Sequence, residues 1–510
     1  MNRPLLFWIL TALLAAGILP VHAQSRDVPL VQRQWFGTHT AHFNIYSCGA
    51  PEKVFKVAGQ LEEFCETYSQ LAGTQAVASL PIVVMVFPDH ESMKPFLPLY
   101  HGQPEDLGGL FQHGNDKNLI VLSLPQANAA SMDMSIVFHE YTHLLFRRND
   151  RIWPVWLKEG MAELYSTFAA TGYNAFIGQP INHHLRLLAK QPLMPLAELF
   201  AVTHDSPQYN EREHQGMFYA ESWLLAHFLV AGDNPDYKSR FGQFTALLRE
   251  GQTPVQAFTN ALQTPLPVVE SELRRYLARG QFAPIQLTFP ENVALPKAIN
   301  TWNLTPVEVY FCLGDELLRI NRLDAAEQYF TDAQKLAPAS PLPYEGLGLL
   351  AIQRRQPDKA VRELKESLRF GSSSYIAHYF YALEKFRLAG DAQGGRGSLP
   401  KETAAEIHDE LIKSIALMPD FGSSHELFGI LELAQDGNSV VAEQHLQLAV
   451  QLEPENPYYL LALADVQARN KKPEAARQTL ATLLLPSVEA RIRAQANELL
   501  QQITGMNSAH

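Results

Sequence analysis

Two periodicities divide the chain. From Gln34 to about Leu124, strand-like and helix-like spacings of apolar residues take turns. "THTAHFNIYS" (38–47) alternates every second residue, "LPIVVMVF" (80–87) and "NLIVLSL" (118–124) are continuous apolar runs, and "PEKVFKVAGQLEEFCETYSQLAG" (51–73) has helical spacing. A period of two marks a strand with one buried face, an unbroken run marks a buried strand, and a period near 3.6 marks an amphipathic helix. Residues 24–130 are therefore expected to form a small mixed α/β unit. From Ser131 to about Leu277 the spacing is helical; Ser131 can cap the first helix and Pro154 suits the first turn of the next. Between Gly280 and Pro306 the proline-containing "APIQLTFPENVALPKAINTWNLTP" (283–306) loses periodicity, so 131–285 reads as a helical part and 286–306 as a linker.

Beyond 307 the pattern repeats. Tyr310, Leu313, Gly314, Ala326, Phe330, Ala333 and Pro338 are followed one 34-residue period later by Tyr344, Leu347, Gly348, Ala360, Leu364 and Ser367. A third unit keeps Ile407, Leu411, Ser414 and Pro419 after extra residues in "GDAQGGRGSLPKE" (390–402), expected to be a loop. A fourth carries Gly429, Ala442, Leu446, Ala449 and Pro454, and a fifth Ala464, Ala476, Leu480 and Leu483. Small residues let paired helices approach, and large ones fill the space between pairs. This resembles tetratricopeptide repeats, about five over 307–485, with a capping helix and tail at 486–510. The resemblance implies an all-α solenoid that binds a protein partner.

The N-terminus, "MNRPLLFWILTALLAAGILPVHAQ", has a basic start, an apolar run and small residues before Ala23. It reads as a secretory signal peptide, 1–23, which places the mature chain in the periplasm or outside the cell; the alternative is an uncleaved anchor. No later segment is apolar enough to span a membrane. The net charge of −12 with scattered basic residues excludes a nucleic-acid footprint. Three cysteines are too few for a disulfide scaffold, but Cys48 and Cys65 are close enough in sequence for one bridge, leaving Cys312 reduced.

The chemistry concentrates in "MSIVFHEYTHLLFRR" (134–148). On a helix, His139 and His143 lie one turn apart on one face and can reach a single ion. Glu140 is rotated by about 100° from His139, beside a metal instead of on it, where it can take a proton from water. A catalytic zinc usually has three protein ligands. A third histidine six residues after His143 is excluded, since Asn149 stands there, with Phe146 where that pattern needs glycine. Downstream, "RIWPVWLKEGMAELYSTF" (151–168) begins a second helix whose Glu159 can return to the histidine face, with Glu163 one turn further on.

"HEYTH" followed by "WLKEGMAELY" resembles the gluzincin zinc peptidases, in particular the zinc aminopeptidases. The resemblance implies an α+β zincin-like catalytic domain in which Zn2+ is held by His139, His143 and Glu159, and Glu140 is the base. Lys158 stands where those aminopeptidases carry asparagine, and their Gly-Ala-Met-Glu-Asn signature is absent. "YAESWLLAHFL" (219–229) is similar to the helix carrying their intermediate-stabilising tyrosine, which puts Tyr219 in that role; a packed tyrosine at a helix start is equally open. Glu163 is either a hydrogen-bond partner of a ligand histidine or an exposed helix residue. His183 and His184 point about 100° apart and are expected on a helix surface or in a groove, while His113 is expected in a hairpin turn. Gly109 to His113 match in order the strand along which gluzincins lay a peptide. The whole chain thus reads as an exported zinc metallopeptidase acting on a peptide or protein substrate, with repeats that bind a partner or substrate. The rival is a repeat adaptor whose zincin-like domain binds metal or peptide without turnover.

Overall fold

The computed structural model describes residues 29–507 apart from 74, 77, 106, 126–133, 148–151, 211, 290–299, 393–398, 436–437 and 486–487. The expected signal peptide and the Ser131 cap lie outside the described residues, and no described helix is long and apolar enough to cross a membrane.

"THTAHFNIYS" is not one strand but the turn of a hairpin. β1 (Phe36–His39) and β2 (Phe43–Ser47) pair antiparallel, and Thr40 closes the turn by accepting the Phe43 N–H on its hydroxyl at 3.1 Å. α1 (Pro51–Ala72) starts on a proline and ends at Gly73 with φ 66°, the usual helix punctuation. It crosses to β3 (Ile82–Phe87), which runs parallel to β2. After the short helix α2 (His90–Met93) and the small ladder β4 (Leu99–Tyr100) and β5 (Gln103–Pro104), the hairpin β6 (Gly109–Gln112) and β7 (Asn118–Ser123) completes the main strands. β11 (Thr301–Asn303) joins from far along the chain, giving the order β11-β1-β2-β3-β7-β6, with β6 at one edge.

Both faces of this sheet are covered, which is why β3 and β7 are apolar throughout. Ile45, Val84 and Ile120 face Val54, Leu61 and Phe64 of α1 together with Val137 and Tyr141 of α3 (Ser135–Phe146). Met85, Leu119 and Val121 face the other way, against helices from the repeat region.

The helical part continues with α4 (Val155–Ser166), the strands β8 (Ala169–Thr171) and β9 (Asn174–Ile177), and short α5 (Asn182–Leu188), α6 (Leu196–Ala201) and α7 (Pro207–Asn210). Long α8 (Arg212–Val230), α9 (Pro235–Arg249), α10 (Pro254–Leu262) and α11 (Leu266–Arg279) complete it. The segment expected as a linker, 286–306, instead contributes to two sheets: β10 (Ile285–Thr288) pairs with β9, and β11 with β1. Three- and four-residue strands are too short to show a period, and their identity comes from the edges they complete.

Five helix pairs follow. They are α12 (Pro306–Arg319) with α13 (Leu323–Leu336), α14 (Pro341–Gln353) with α15 (Pro357–Arg369), α16 (Tyr375–Ala392) with α17 (Lys401–Leu417), α18 (Gly422–Ala434) with α19 (Ser439–Leu452), and α20 (Pro457–Arg469) with α21 (Pro473–Ala481). α22 (Ala490–Asn507) closes the stack through Ile492, Ala496 and Ile503. Close approach within a pair needs small residues: a Cβ on Gly314 would lie 2.6 Å from the Phe330 ring. The insertion at 390–402, expected as a loop, is helical at both ends, because α16 runs to Ala392 and α17 begins at Lys401.

The first pairs are also part of the sheet's packing. Leu313 and Leu317 of α12, Phe330 of α13 and Leu350 of α14 share a core with Trp35, Met85 and Val121. Beside that core, the β6–β7 turn is clasped by buried charges. Lys117 Nζ lies 2.9 Å from Asp315 Oδ2, Arg319 Nη2 lies 2.7 Å from Asp116 Oδ2, and Tyr375 donates to the Asp116 carbonyl at 2.5 Å. Burial opposes the charge on Lys117 and Arg319, and the neighbouring carboxylates outweigh it. Losing one member of such a buried set costs about 3–5 kcal/mol, since the remaining charge stays uncompensated.

Gln112 donates to Glu316 Oε1 at 2.9 Å in the same joint. Burial, and then the charge of Asp315, pushes the Glu316 carboxyl up to about 8. An acid raised by folding keeps its proton after the unfolded chain has released its own. Its contribution is therefore complete below the unfolded value of about 4.3 and declines as pH rises toward 8. The midpoint of thermal unfolding is expected to fall between pH 5 and 8.5, and to fall less in Glu316→Gln; parallel profiles for the two proteins would contradict this.

Candidate metal centre

α3 and α4 form a helix hairpin at the heart of the α+β unit. α3 buries Val137, Phe138, Tyr141, Leu144 and Phe146, and Phe138 stacks on Phe64 of α1 with ring centroids 4.7 Å apart. Its N-cap is Met134, which makes no side-chain cap bond. Pro154 is the N-cap of α4, just outside the first turn. Trp156 in α4 is fully buried and stacks on Phe200 at 5.1 Å. Gly160 is required by a close approach: a Cβ there would lie 2.3 Å from the Ser222 carbonyl oxygen of α8. The glycine after Glu159 thus lets α4 lie directly on α8.

This packing brings the three expected donors together. His139 Nε2 and His143 Nε2 are 3.1 Å apart, and each is 3.3 Å from Glu159 Oε2. Four-coordinate zinc with bonds of about 2.0–2.1 Å sets its donors about 3.3 Å apart, so the triangle fits one face of such a site. Glu159 Oε2 is buried and makes no aligned hydrogen bond. The chemistry of the donor set, two imidazoles and one carboxylate, also suits zinc. Burial alone would raise the Glu159 carboxyl, but the two histidines hold it down at about 2. His139 is lifted to about 10, the carboxylates of Glu159 and Glu163 prevailing over burial.

The surrounding residues orient this set. Glu163 Oε1 lies 3.4 Å from His139 Nδ1, and its other oxygen lies 3.2 Å from His184 Nε2. Glu163 is therefore not an exposed helix residue, and its contact with Nδ1 leaves Nε2 of His139 to the donor triangle. Of the two histidines expected on a helix surface or in a groove, His184 is 6 % exposed and faces inward, whereas His183 is exposed. The i, i+4 spacing of His184 with buried Leu188 was the signal that marks it as inward-facing. The Tyr219 ring lies 6.1 Å from that of His139.

Tyr209, on α7, was missed by sequence reasoning. Its hydroxyl donates to Glu159 Oε1 at 3.3 Å. Burial, then the charge of Glu159, pushes this phenol up to about 12, so it remains a donor; Tyr219 is a further hydrogen-bonding neighbour, and Glu140 is close enough to act on it by charge. A four-residue helix flanked by polar residues offers no periodicity from which to find it. His113 follows β6 in the hairpin connection, where burial, then the charge of Arg147, lowers it to about 4, so it is neutral at pH 7.

A second group, His42, Glu62 and Cys65, also has donor atoms close together. Ordinary partners satisfy it: Glu62 pairs with His42 Nδ1 at 2.7 Å and with its backbone N–H at 3.0 Å, and Cys65 meets the Tyr141 hydroxyl at 3.3 Å. Burial pushes the Cys65 thiol well up, away from the thiolate that metals need. The bridge between Cys48 and Cys65 does not form, and both are free. Cys48 belongs to the core on the repeat side of the sheet and Cys65 to the core on the other. Cys312 is also free but only half-buried.

No family model matches the chain, and no curated protein matches it. Among solved structures, YrrB, described as a TPR protein with an unusual peptide-binding site, is 15 % identical over 37 % of this chain and 91 % of its own, with a TM-score of 0.31. A thermophilic TPR protein from Thermus thermophilus is 20 % identical over 38 % of this chain and 99 % of its own, with a TM-score of 0.30. The type IV pilus biogenesis factor PilW is 17 % identical over 41 % of this chain and 94 % of its own, with a TM-score of 0.31. Likenesses at this level carry no functional weight. The five helix pairs, with glycines at close approaches in the first, second and fourth, are themselves those of a tetratricopeptide-type solenoid.

Replacing Gly160 by alanine is expected to force α4 from α8, at a cost of about 1–3 kcal/mol, and to weaken zinc binding by displacing Glu159. Thermal unfolding and zinc titration of Gly160→Ala measure both effects; unchanged values would show that the close approach does not position the donors.

Proposed function

We propose that this chain is an exported zinc-dependent metallopeptidase whose repeat solenoid binds protein. The observation that carries the reading is the donor triangle of His139, His143 and Glu159, with edges of 3.1–3.3 Å and Glu140 at the next helix position. When bound, the ion supplies a positive charge that polarises a carbonyl and lowers the pKa of water. Glu140 accepts the proton of the attacking water and returns it to the leaving amine. Tyr219 offers a phenol near the donors, where negative charge develops on the carbonyl oxygen, while Tyr209 donates to Glu159 and holds that carboxylate in place. Glu163, backed by His184, holds the His139 ring in place.

β6 supplies the remaining element. It is the edge of the main sheet and is antiparallel to β7, so its outer side offers unpaired backbone groups to an extended peptide. α3 packs against this strand through Val137, whose Cγ2 lies 3.3 Å from where a Gly109 Cβ would stand. A chain laid on β6 passes alongside the donor-bearing helix.

The second reading is a repeat adaptor whose α+β unit binds metal or peptide without turnover. The complete solenoid favours it, since five stacked pairs and a closing helix bind protein with no need of chemistry at α3. Glu140→Gln separates the two. Under the peptidase reading it retains zinc and loses hydrolysis of a protein substrate by about 10²–10⁴-fold; an adaptor shows no zinc-dependent hydrolysis in the unaltered protein, and the substitution changes nothing measurable.

A further inference from the structure

A cavity of about 900 Å³ lies between the two halves of the chain. One wall is the end of the donor-bearing helix, Leu144, Leu145 and Arg147, together with Gly114 and Asn115 just after β6. The opposite wall is the repeat face, where Tyr379, Leu383, Glu426, Tyr458 and Tyr459 line it. The cavity therefore begins one residue beyond His143 and at the end of the edge strand. A polypeptide leaving β6 by that end has this space directly ahead of it.

We propose that the polypeptide bound at the metal centre continues into this cavity as an extended basic segment, so that the repeats hold the substrate itself. The inference rests on the peptidase reading above and adds the substrate class. Charge selects the occupant. Asp420, Glu426 and Glu453 line the cavity against Arg147 and Arg387, and Arg387 is already bound to Glu384 at 2.7 Å. Glu426 and Glu453 are close enough that the second, after burial, helps push the carboxyl of the first up to about 7. A lysine or arginine between them offsets the cost of burying the carboxylate and removes the repulsion. Tyr458, exposed on the same wall, can meet such a cation with its ring. The clasp of Lys117, Asp116, Asp315 and Arg319 keeps the β6–β7 turn at the cavity's margin, so the strand and the cavity stay in line.

The test uses the full chain carrying Glu140→Gln, loaded with zinc. The probe is a fluorescein-labelled twenty-residue peptide with a lysine- and arginine-rich half, compared with a version in which those residues are glutamine. Tyr458 is 52 % exposed, so Tyr458→Ala leaves the fold intact, and Glu453→Lys reverses a wall charge. Fluorescence anisotropy is expected to show the basic peptide binding at least about tenfold more weakly to either variant, and also more weakly after zinc removal, with the glutamine peptide little affected. Equal affinity for both peptides, or no loss in the variants, overturns the proposal. Weakening in the variants without any response to zinc removal also overturns it, because the cavity then serves a separate partner. Binding does not depend on turnover, so failure of the unaltered protein to cleave the peptide would remove the peptidase reading while leaving this result legible.

Discussion

The constraint on which the structure depends is that its central sheet is apolar on both faces. β3 and β7 alternate their side chains between two cores, Val84 and Ile120 on one side and Met85 and Val121 on the other. Leaving either face in water forfeits about 1.5–3 kcal/mol for each large side chain that would otherwise be buried. One face is covered by α1 and α3, the other by the opening pairs of the solenoid. The repeats are therefore not an appendage joined by a tether; they complete the fold of the α+β unit. The charged clasp on the β6–β7 turn follows from this arrangement, because the turn projects where α12, α14 and α16 stand.

From that frame comes the precision of the donor cluster. All three donors sit on helices, whose packing fixes side chains better than loops do. α3 is held by the sheet and by the Phe64 stack, while α4 is held by α8 through the space at Gly160. The residues around the donors, Glu163, His184, Tyr209 and Tyr219, come from four separate helices. Each one restrains a neighbour, and none acts alone.

Much of this was legible in the sequence. Helical geometry makes the positions of His139 and His143 a direct consequence of their spacing, and a helix hairpin is the shortest way for Glu159 to meet them. The repeat units were legible because a 34-residue period recurs with small residues in fixed places. What was not legible depends on distant partners. β10 and β11 exist because other strands left edges for them, Tyr209 matters because α7 folds back toward α4, and His184 turns inward through α5 packing on α8. Cys48 and Cys65 are near in sequence but lie in cores on opposite faces of the sheet, a separation that sequence distance does not show.

The most direct test of the account is X-ray absorption at the zinc edge on the metal-loaded protein, with metal content measured on the same sample. The account predicts one zinc per chain with nitrogen and oxygen neighbours at about 2.0–2.1 Å, an imidazole signature, and no sulfur. Sulfur in the first coordination shell would place the ion at Cys65 instead, and failure to retain zinc at all would contradict the centre built by His139, His143 and Glu159.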